Sequence, residues 1–185
     1  YKRPRINWDI LQEHSEGLIV TSSCLASTYC QLIMAGDVPG AKAWARKFQE
    51  LFGEDFYLEV QPNQIPEQHE VNKVSSRISK ELGIKLIATN DVHYTFEDDC
   101  FPHEVLLAMQ TKKKMSDEKR FKFSTDDFWF KSNEEMIETL QNTNSLSDED
   151  ICEAMQSTVE VAGKCSAEIL KGKYLPHYYG TPEGM

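Results

Sequence analysis

Three short apolar runs, separated by stretches with helical periodicity, constrain the fold of this chain more than any other feature. The runs are rich in strand-forming residues and cover residues 17–21, 56–60 and 85–89. The clearest helical segment between them begins at Pro66, and Gly83 follows it as a C-terminal cap. Short strands that alternate with helices predict an α/β protein with a parallel sheet. In such sheets the chemistry gathers at the carboxyl ends of the strands.

Capping residues and residue patterns predict the remaining elements. We expect short helices over residues 7–14 and 26–34, a longer helix over 41–51, a helix over 98–109, a strand over 128–130 and an extended tail over 175–182. Two capping boxes, Ser132 with Glu135 and Ser147 with Asp150, predict the starts of the last two helices.

Charge and composition limit the kinds of function that fit. The 185 residues carry a formal net charge of -10, which disfavours a main surface for gripping DNA phosphates and fits a metal site or a protein-docking role better. No apolar run approaches the roughly 18 residues that a membrane span needs, and no secretory signal is visible. Five scattered cysteines without a CxxC pair favour reduced thiols in the cytoplasm over a zinc ribbon. A start at Tyr1 leads us to expect a piece of a longer protein.

Two polar segments follow predicted strands and are the candidates for chemistry. Asp91 and His93 are two residues apart, so in extended chain they face the same way and suit zinc or manganese as a pair of ligands. Cys24 follows another strand and could add a thiolate to the same cluster. An Asp-x-His pattern also arises by chance, and a lone cysteine is often a small buried apolar residue, so both interpretations stay open.

Other residues are weaker candidates. A basic segment that contains Lys112, Lys113, Lys114 and Arg120 could contact a DNA backbone, although interrupting acidic residues make a solvated loop equally compatible. His103 could support a metal ligand, or it could be an ordinary polar helix residue. Asn90, beside Asp91, is a second candidate for such a supporting role.

A series of motifs resembles one family in the same order along nearly the whole chain. The segments are GLIVTSSCL at residues 17–25, FYLEVQ at 56–61, IPEQ at 65–68, ATNDVHY at 88–94, HEVLL at 103–107, KSNEEM at 131–136 and TPEG at 181–184. Together they resemble the bacterial-type (C family) DNA polymerase III alpha subunits. The chain departs from that pattern at Ser23, where the family usually has glycine, and a serine there can restrict a backbone with positive φ.

The resemblance implies the later part of a PHP domain, a distorted seven-stranded β/α barrel with a metal cluster at one mouth. Residues 1–174 would form that part, and residues 175–185 would be a linker toward the polymerase palm. Asp91, His93 and Cys24 would occupy ligand positions for zinc or manganese, and the family's other ligands would precede Tyr1.

The same resemblance implies a parent DNA-directed DNA polymerase whose palm uses magnesium. Its PHP domain would support DNA synthesis and could act as a metal-dependent phosphoesterase or 3′–5′ exonuclease. The implied partners are DNA, the proofreading exonuclease subunit and the sliding clamp. A free-standing PHP-type phosphoesterase and a metal-free scaffold are the alternatives, and we expect the 185-residue chain alone to have little or no catalytic activity.

Overall fold

A computed structural model describes residues 5–168 and Gly172. Its regular elements are α1 (Trp8–Glu13), β1 (Val20–Thr21), α2 (Thr28–Met34), α3 (Val38–Phe52), β2 (Phe56–Val60), α4 (Pro66–Leu82), β3 (Leu86–Ala88), α5 (Cys100–Gln110), α6 (Asn133–Asn142) and α7 (Asp148–Lys164). Short 3-10 turns cover Gly53–Asp55 and Glu97–Asp99. The predicted alternation of strands and helices is confirmed, although β1 and β3 are shorter than their apolar runs.

The three strands form one parallel sheet in the order β1-β2-β3. In β1 and β2, Val20 pairs with Phe56, and in β2 and β3, Leu58 pairs with Leu86. The α/β class is therefore confirmed. Residues 5–168 contain this parallel sheet and its helices rather than a closed barrel. Within the described residues, no helix combines the length and apolar character needed to cross a membrane.

The two faces of β2 differ in chemistry. Phe56, Leu58 and Val60 alternate toward the helices and belong to the main hydrophobic core, which also holds buried residues of α2, α3, α4 and α7. Glu59 points to the opposite face, and Gln61 continues that alternation just past the strand. Both are buried, so the sheet carries an apolar core on one side and enclosed polar groups on the other.

Local capping explains where the helices start and stop. The capping boxes of α6 and α7 form as expected, because Ser132 and Ser147 each accept a hydrogen bond from the third residue of the helix. Asn7 caps α1 in a similar way. Gly83 ends α4 with φ of 65°, a left-handed conformation that glycine adopts without a Cβ clash.

The predicted strand over residues 128–130 is wrong. Only one isolated parallel bridge forms there, between Tyr94 and Trp129, and the Phe130 side chain is 68% exposed. The segment pairs with the irregular chain after β3, where His93 N donates to Phe128 O and Phe130 N donates to Thr95 O. The apolar composition of residues 128–130 therefore does not produce a strand, because no neighbouring strand extends the single bridge into a ladder. The predicted extended tail over 175–182, within the proposed linker 175–185, lies outside the described residues.

Candidate metal centre

The polar segments that follow the three strands meet around one cavity of about 260 Å³. Its wall contains Cys24 from the chain after β1, Gln61 and Asn63 from the chain after β2, and Asp91 and His93 from the chain after β3. The remaining lining residues are apolar: Leu25, Ala26, Ile65, Phe123 and Phe128. The parallel sheet thus brings the three ligand candidates of the sequence to one place, as expected for strand ends on the same edge.

Asp91 and His93 are positioned by a tight turn after β3. Asp91 has φ of 51°, a left-handed conformation that aspartate tolerates better than most residues, and Asn63 Nδ2 donates to its Oδ2 at 3.1 Å. The Nδ1 atom of His93 lies 2.8 Å from the carbonyl oxygen of Asp91. A neutral His93 ring protonated at Nδ1 would donate to that carbonyl and present Nε2 as its ligand atom.

Cys24 lies in a loop that is fixed to β2 rather than to its own short strand. The Ser22 hydroxyl accepts a hydrogen bond from Glu59 N at 2.8 Å, and Ser22 N donates to Tyr57 O at 3.0 Å. The next residue, Ser23, has φ of 64° and directs the chain toward Cys24. The serine therefore keeps the backbone conformation that glycine would adopt more readily.

Replacing Ser23 with glycine is expected to raise the free energy of unfolding by about 1 kcal/mol, because glycine removes the Cβ clash of the left-handed region. Urea denaturation followed by circular dichroism measures the change. Ser116 is an exposed serine without positive φ, so Ser116→Gly is the matched control and should give no gain. Equal or lower stability of Ser23→Gly would show that the serine conformation carries no strain.

Sequence reasoning missed a buried carboxyl group beside this cavity. Glu59 is 8% exposed and accepts hydrogen bonds from the hydroxyls of Thr21 and Thr89 and from Gln61 Nε2, which lies 2.9 Å from Oε1. Its donors belong to or follow all three strands, so Glu59 ties their ends together. The period-two pattern of polar residues 59, 61 and 63, starting inside an apolar run, is the signal that could have revealed this group.

The ligand atoms of these side chains suit zinc or manganese, but the described residues do not form a complete metal site by themselves. Cys24, Asp91 and His93 supply a thiolate, a carboxylate and an imidazole. Within residues 5–168 and Gly172, however, no three His, Cys, Asp or Glu side chains are close enough together to hold an ion. A metal here would need ligands from elsewhere in a longer protein, and no chemical step can be derived through it from this segment.

His103 and Asn90 occupy different positions around the site. The His103 ring lies 6.0 Å from the His93 ring and lines a separate neighbouring cavity of about 320 Å³. Burial and, to a smaller extent, His93 lower the pKa of His103, which favours its neutral form near neutral pH. Asn90 turns away and donates from Nδ2 to Lys131 O at 3.1 Å. His103 thus lies beside the metal candidates, whereas Asn90 anchors the chain before α6.

The structure separates the three lysines of the basic segment from Arg120. Lys112, Lys113 and Lys114 are exposed after α5. Arg120 is 8% exposed, and its guanidinium pairs with Glu104 and donates from Nε to Met115 O at 3.1 Å. The structure therefore places the three lysines where phosphates could reach them, but it places Arg120 inside, in an ion pair that joins the loop to α5.

The parallel sheet and the polar strand ends define an α/β protein with a candidate metal centre, which is consistent with a fragment of a PHP domain. Residues 1–63 match the PHP domain family. The chain is 40% identical over 187 residues to the DNA polymerase III subunit alpha of Deinococcus radiodurans and 39% identical over 180 residues to that of Borreliella burgdorferi. The corresponding protein of Thermus aquaticus is 35% identical over 187 residues.

These alignments cover 100%, 96% and 100% of the chain, but the chain spans only 14% to 15% of the length of these relatives. Along its whole length the chain is similar to one segment of DNA polymerase III alpha subunits, and its residues 1–63 match the PHP domain family. The resemblance drawn from its ordered motifs is thereby confirmed.

Proposed function

We propose that this segment is the later part of the PHP domain of a replicative DNA polymerase, and that it supports DNA synthesis by the parent protein. Homology along the whole chain to DNA polymerase III alpha subunits is the observation that carries the proposal. On this interpretation residues 1–174 belong to a distorted β/α barrel of which β1, β2 and β3 are neighbouring strands, and residues 175–185 lead to the palm. The parent is then a cytoplasmic nucleotidyltransferase that uses magnesium at its palm.

We further propose that Cys24, Asp91 and His93 supply part of the ligand set of a zinc or manganese site in the assembled domain. Their common cavity and their donor types support this assignment. When bound, the metal would activate water for phosphodiester hydrolysis, as in a 3′–5′ exonuclease. The residues of this chain would hold and orient the ion, with Asn63 fixing the Asp91 carboxylate by its hydrogen bond.

Metal content of the purified parent polymerase that contains this segment, measured by atomic emission without chelators, tests the ligand assignment. We expect zinc or manganese to remain bound and to fall at least tenfold in an Asp91→Asn/His93→Ala variant. Asparagine is chosen at residue 91 because it tolerates the positive φ, so loss of metal reports lost ligands and not backbone strain. Asp9→Asn/His14→Ala, at exposed residues near α1, is the matched control and should retain the metal.

Equal metal content in the ligand variant and the control would contradict the assignment. Absence of metal from every variant would favour a PHP domain that acts as a metal-free scaffold. The scaffold function is worth testing because no three metal-ligating side chains converge within the described residues. A free-standing phosphoesterase has no comparable support, because the three relatives compared are polymerase subunits.

The proposed partners follow from the parent protein. DNA would be bound by the polymerase as a whole, because a net charge of -10 makes this segment a poor surface for phosphates apart from the exposed Lys112, Lys113 and Lys114. The proofreading exonuclease subunit and the sliding clamp would associate with the parent polymerase during DNA replication.

A further inference from the structure

Helix α5 carries an apolar face that the described residues leave largely exposed. Phe101, Leu106 and Met109 are 66%, 61% and 68% exposed, and Val105 between them is half-buried. These four residues follow the spacing i, i+4, i+5 and i+8, so they lie on one side of the helix. We call this side the outward face of α5.

The titratable residues of α5 lie on the other side of the helix. Glu104 forms an ion pair with the buried Arg120, and Cys100 and His103 line the cavity of about 320 Å³ next to the candidate metal centre. The outward face therefore contains no charged residue of α5 that would favour contact with water. A helix that is apolar on both sides is normally enclosed, because each apolar side leaves water only by packing against a neighbour.

The outward face is large enough to be an interaction site. With Pro102 and Val105, the three large side chains that are about two-thirds exposed leave roughly 400 Å² of apolar surface in contact with water. Single exposed apolar residues are common on protein surfaces. A contiguous patch of about 300–600 Å², in contrast, is the largest that a monomer usually shows, and such a patch is often functional.

Groups of opposite charge stand at the two ends of α5. Glu97 and Asp98 are exposed just before the helix, and Lys112, Lys113 and Lys114 are exposed just after it. Within the described part of the chain, none of these side chains pairs with an opposite charge. The apolar face is therefore bounded by an acidic end and a basic end, and both are available to a partner.

The order of these groups is symmetrical about Val105. Phe101 and Met109 each lie four positions from Val105, and Asp98 and Lys112 each lie seven positions from it. If two α5 helices pack antiparallel across a two-fold axis at Val105, each apolar residue meets its counterpart and each acidic end meets a basic end. The helix dipoles favour the same arrangement, whereas a parallel pair would bring like charges together.

We propose that the outward face of α5 is a self-association surface, and that its occupant is α5 of a second copy of the chain in antiparallel orientation. With the charged ends included, the pair buries roughly 1,000 Å² in total, which is the low end for specific complexes, so the dimer is weak and reversible, with a Kd in the micromolar range. This inference goes beyond the proposed function, because none of these residues lines the candidate metal cavity.

Sedimentation equilibrium of the purified parent polymerase that contains this segment, over about 1–100 µM, tests the proposal. We expect a reversible equilibrium between monomer and dimer. Met109→Glu should weaken dimerisation about tenfold, because the new carboxylate would be buried against Phe101 of the second copy. Val159→Glu is the matched control, since Val159 lies on α7 and is 74% exposed, and this variant should dimerise like the unmodified protein.

Charge reversal distinguishes antiparallel pairing of α5 from any other association. Glu97→Lys/Asp98→Lys makes both ends of the face predominantly positive, and Lys112→Glu/Lys113→Glu makes both ends predominantly negative. Each double variant alone is expected to dimerise about tenfold more weakly, because like charges then meet at both ends of the pair. An equimolar mixture of the two variants should regain the lost affinity as a heterodimer, because opposite charges meet again at both ends.

Three outcomes would overturn the proposal. They are a polymerase that stays monomeric over the whole concentration range, a Met109→Glu variant that dimerises like Val159→Glu, and a mixture of charge-reversed variants that associates no better than either variant alone. Monomeric behaviour would mean that another part of the longer protein, or a different protein, covers the outward face. Thermal unfolding followed by circular dichroism identifies any variant that fails to fold, and recovery of affinity in the mixture shows independently that both charge-reversed variants are folded.

Discussion

Replacing Glu59 with alanine is expected to lower the free energy of unfolding by about 3 kcal/mol. The change leaves the Thr21 and Thr89 hydroxyls and the Gln61 amide without their common acceptor, and each buried group left unpaired costs about 1–3 kcal/mol. The shortened side chain also leaves space next to the fully buried strand β2. Urea denaturation monitored by circular dichroism and tryptophan fluorescence measures the loss.

Two control variants test whether the stability lost in Glu59→Ala comes from its hydrogen bonds. Glu59→Gln keeps the side-chain length and one acceptor oxygen, so we expect it to lose less than half as much stability. Glu50→Ala removes an exposed glutamate of α3 and should stay within about 0.5 kcal/mol of the unmodified chain. A Glu59→Ala variant as stable as Glu50→Ala would show that the hydrogen bonds around Glu59 do not hold the strand ends together.

Replacing Asp150 with alanine is expected to lower the free energy of unfolding by a similar amount, about 3 kcal/mol. The buried Asp150 carboxylate completes the capping box of α7 with Ser147, accepts from the Ser76 hydroxyl at 2.9 Å and pairs with Lys80 at 2.8 Å. Loss of the cap and of the buried Ser76 partner accounts for most of the effect, since the half-exposed Lys80 contributes little. Denaturant unfolding of the variant checks the value.

The Asp150 contribution should depend on pH in a defined direction. Burial acts to raise the pKa of Asp150, but the hydrogen bonds from Lys80, Ser147 and Ser76 outweigh it, so the pKa in the folded protein lies below the ordinary value of 3.8. The stabilisation is therefore complete above the unfolded-state pKa and is lost as the pH falls through the lower folded-state pKa. The stability difference between the unmodified chain and Asp150→Ala should shrink below about pH 4.

Glu149→Ala is the matched control for both measurements. Glu149 is an exposed residue in the same first turn of α7, so its loss should cost only about 0.3–1 kcal/mol through the helix dipole. A stability difference for Asp150→Ala that persists unchanged to pH 2 would contradict the proposed role of its ionised carboxylate.

The elements that the sequence predicted most accurately are those controlled by neighbouring residues. Strand β2 occupies the predicted residues 56–60, and α4 begins at Pro66 and is followed by Gly83, as expected. An apolar run bounded by turn signals, a proline at the first helical position and a glycine cap act over a few residues, so their effects can be read without the fold. The family motifs likewise located Asp91, His93 and Cys24 before any geometry was known.

Contacts between residues far apart in the sequence determined the features that the sequence did not predict correctly. Residues 128–130 have strand composition, but their only pairing is a single bridge with Tyr94, because a ladder needs a partner strand as well as a suitable sequence. The charge of Arg120 suggested an exposed patch, yet its ion pair with Glu104 places it in the interior. No local pattern contains information about which distant side chain will satisfy a charge.

The sequence by itself determined the α/β class, the family resemblance and the starts of α4, α6 and α7, because periodicity, caps and ordered motifs are properties of the chain. Only the tertiary structure placed Glu59 among three strand ends and set Gln61 and Asn63 in the same cavity wall as Cys24, Asp91 and His93. These residues are separated by up to about seventy positions in the chain, and it is the parallel pairing of β1, β2 and β3 that brings them together.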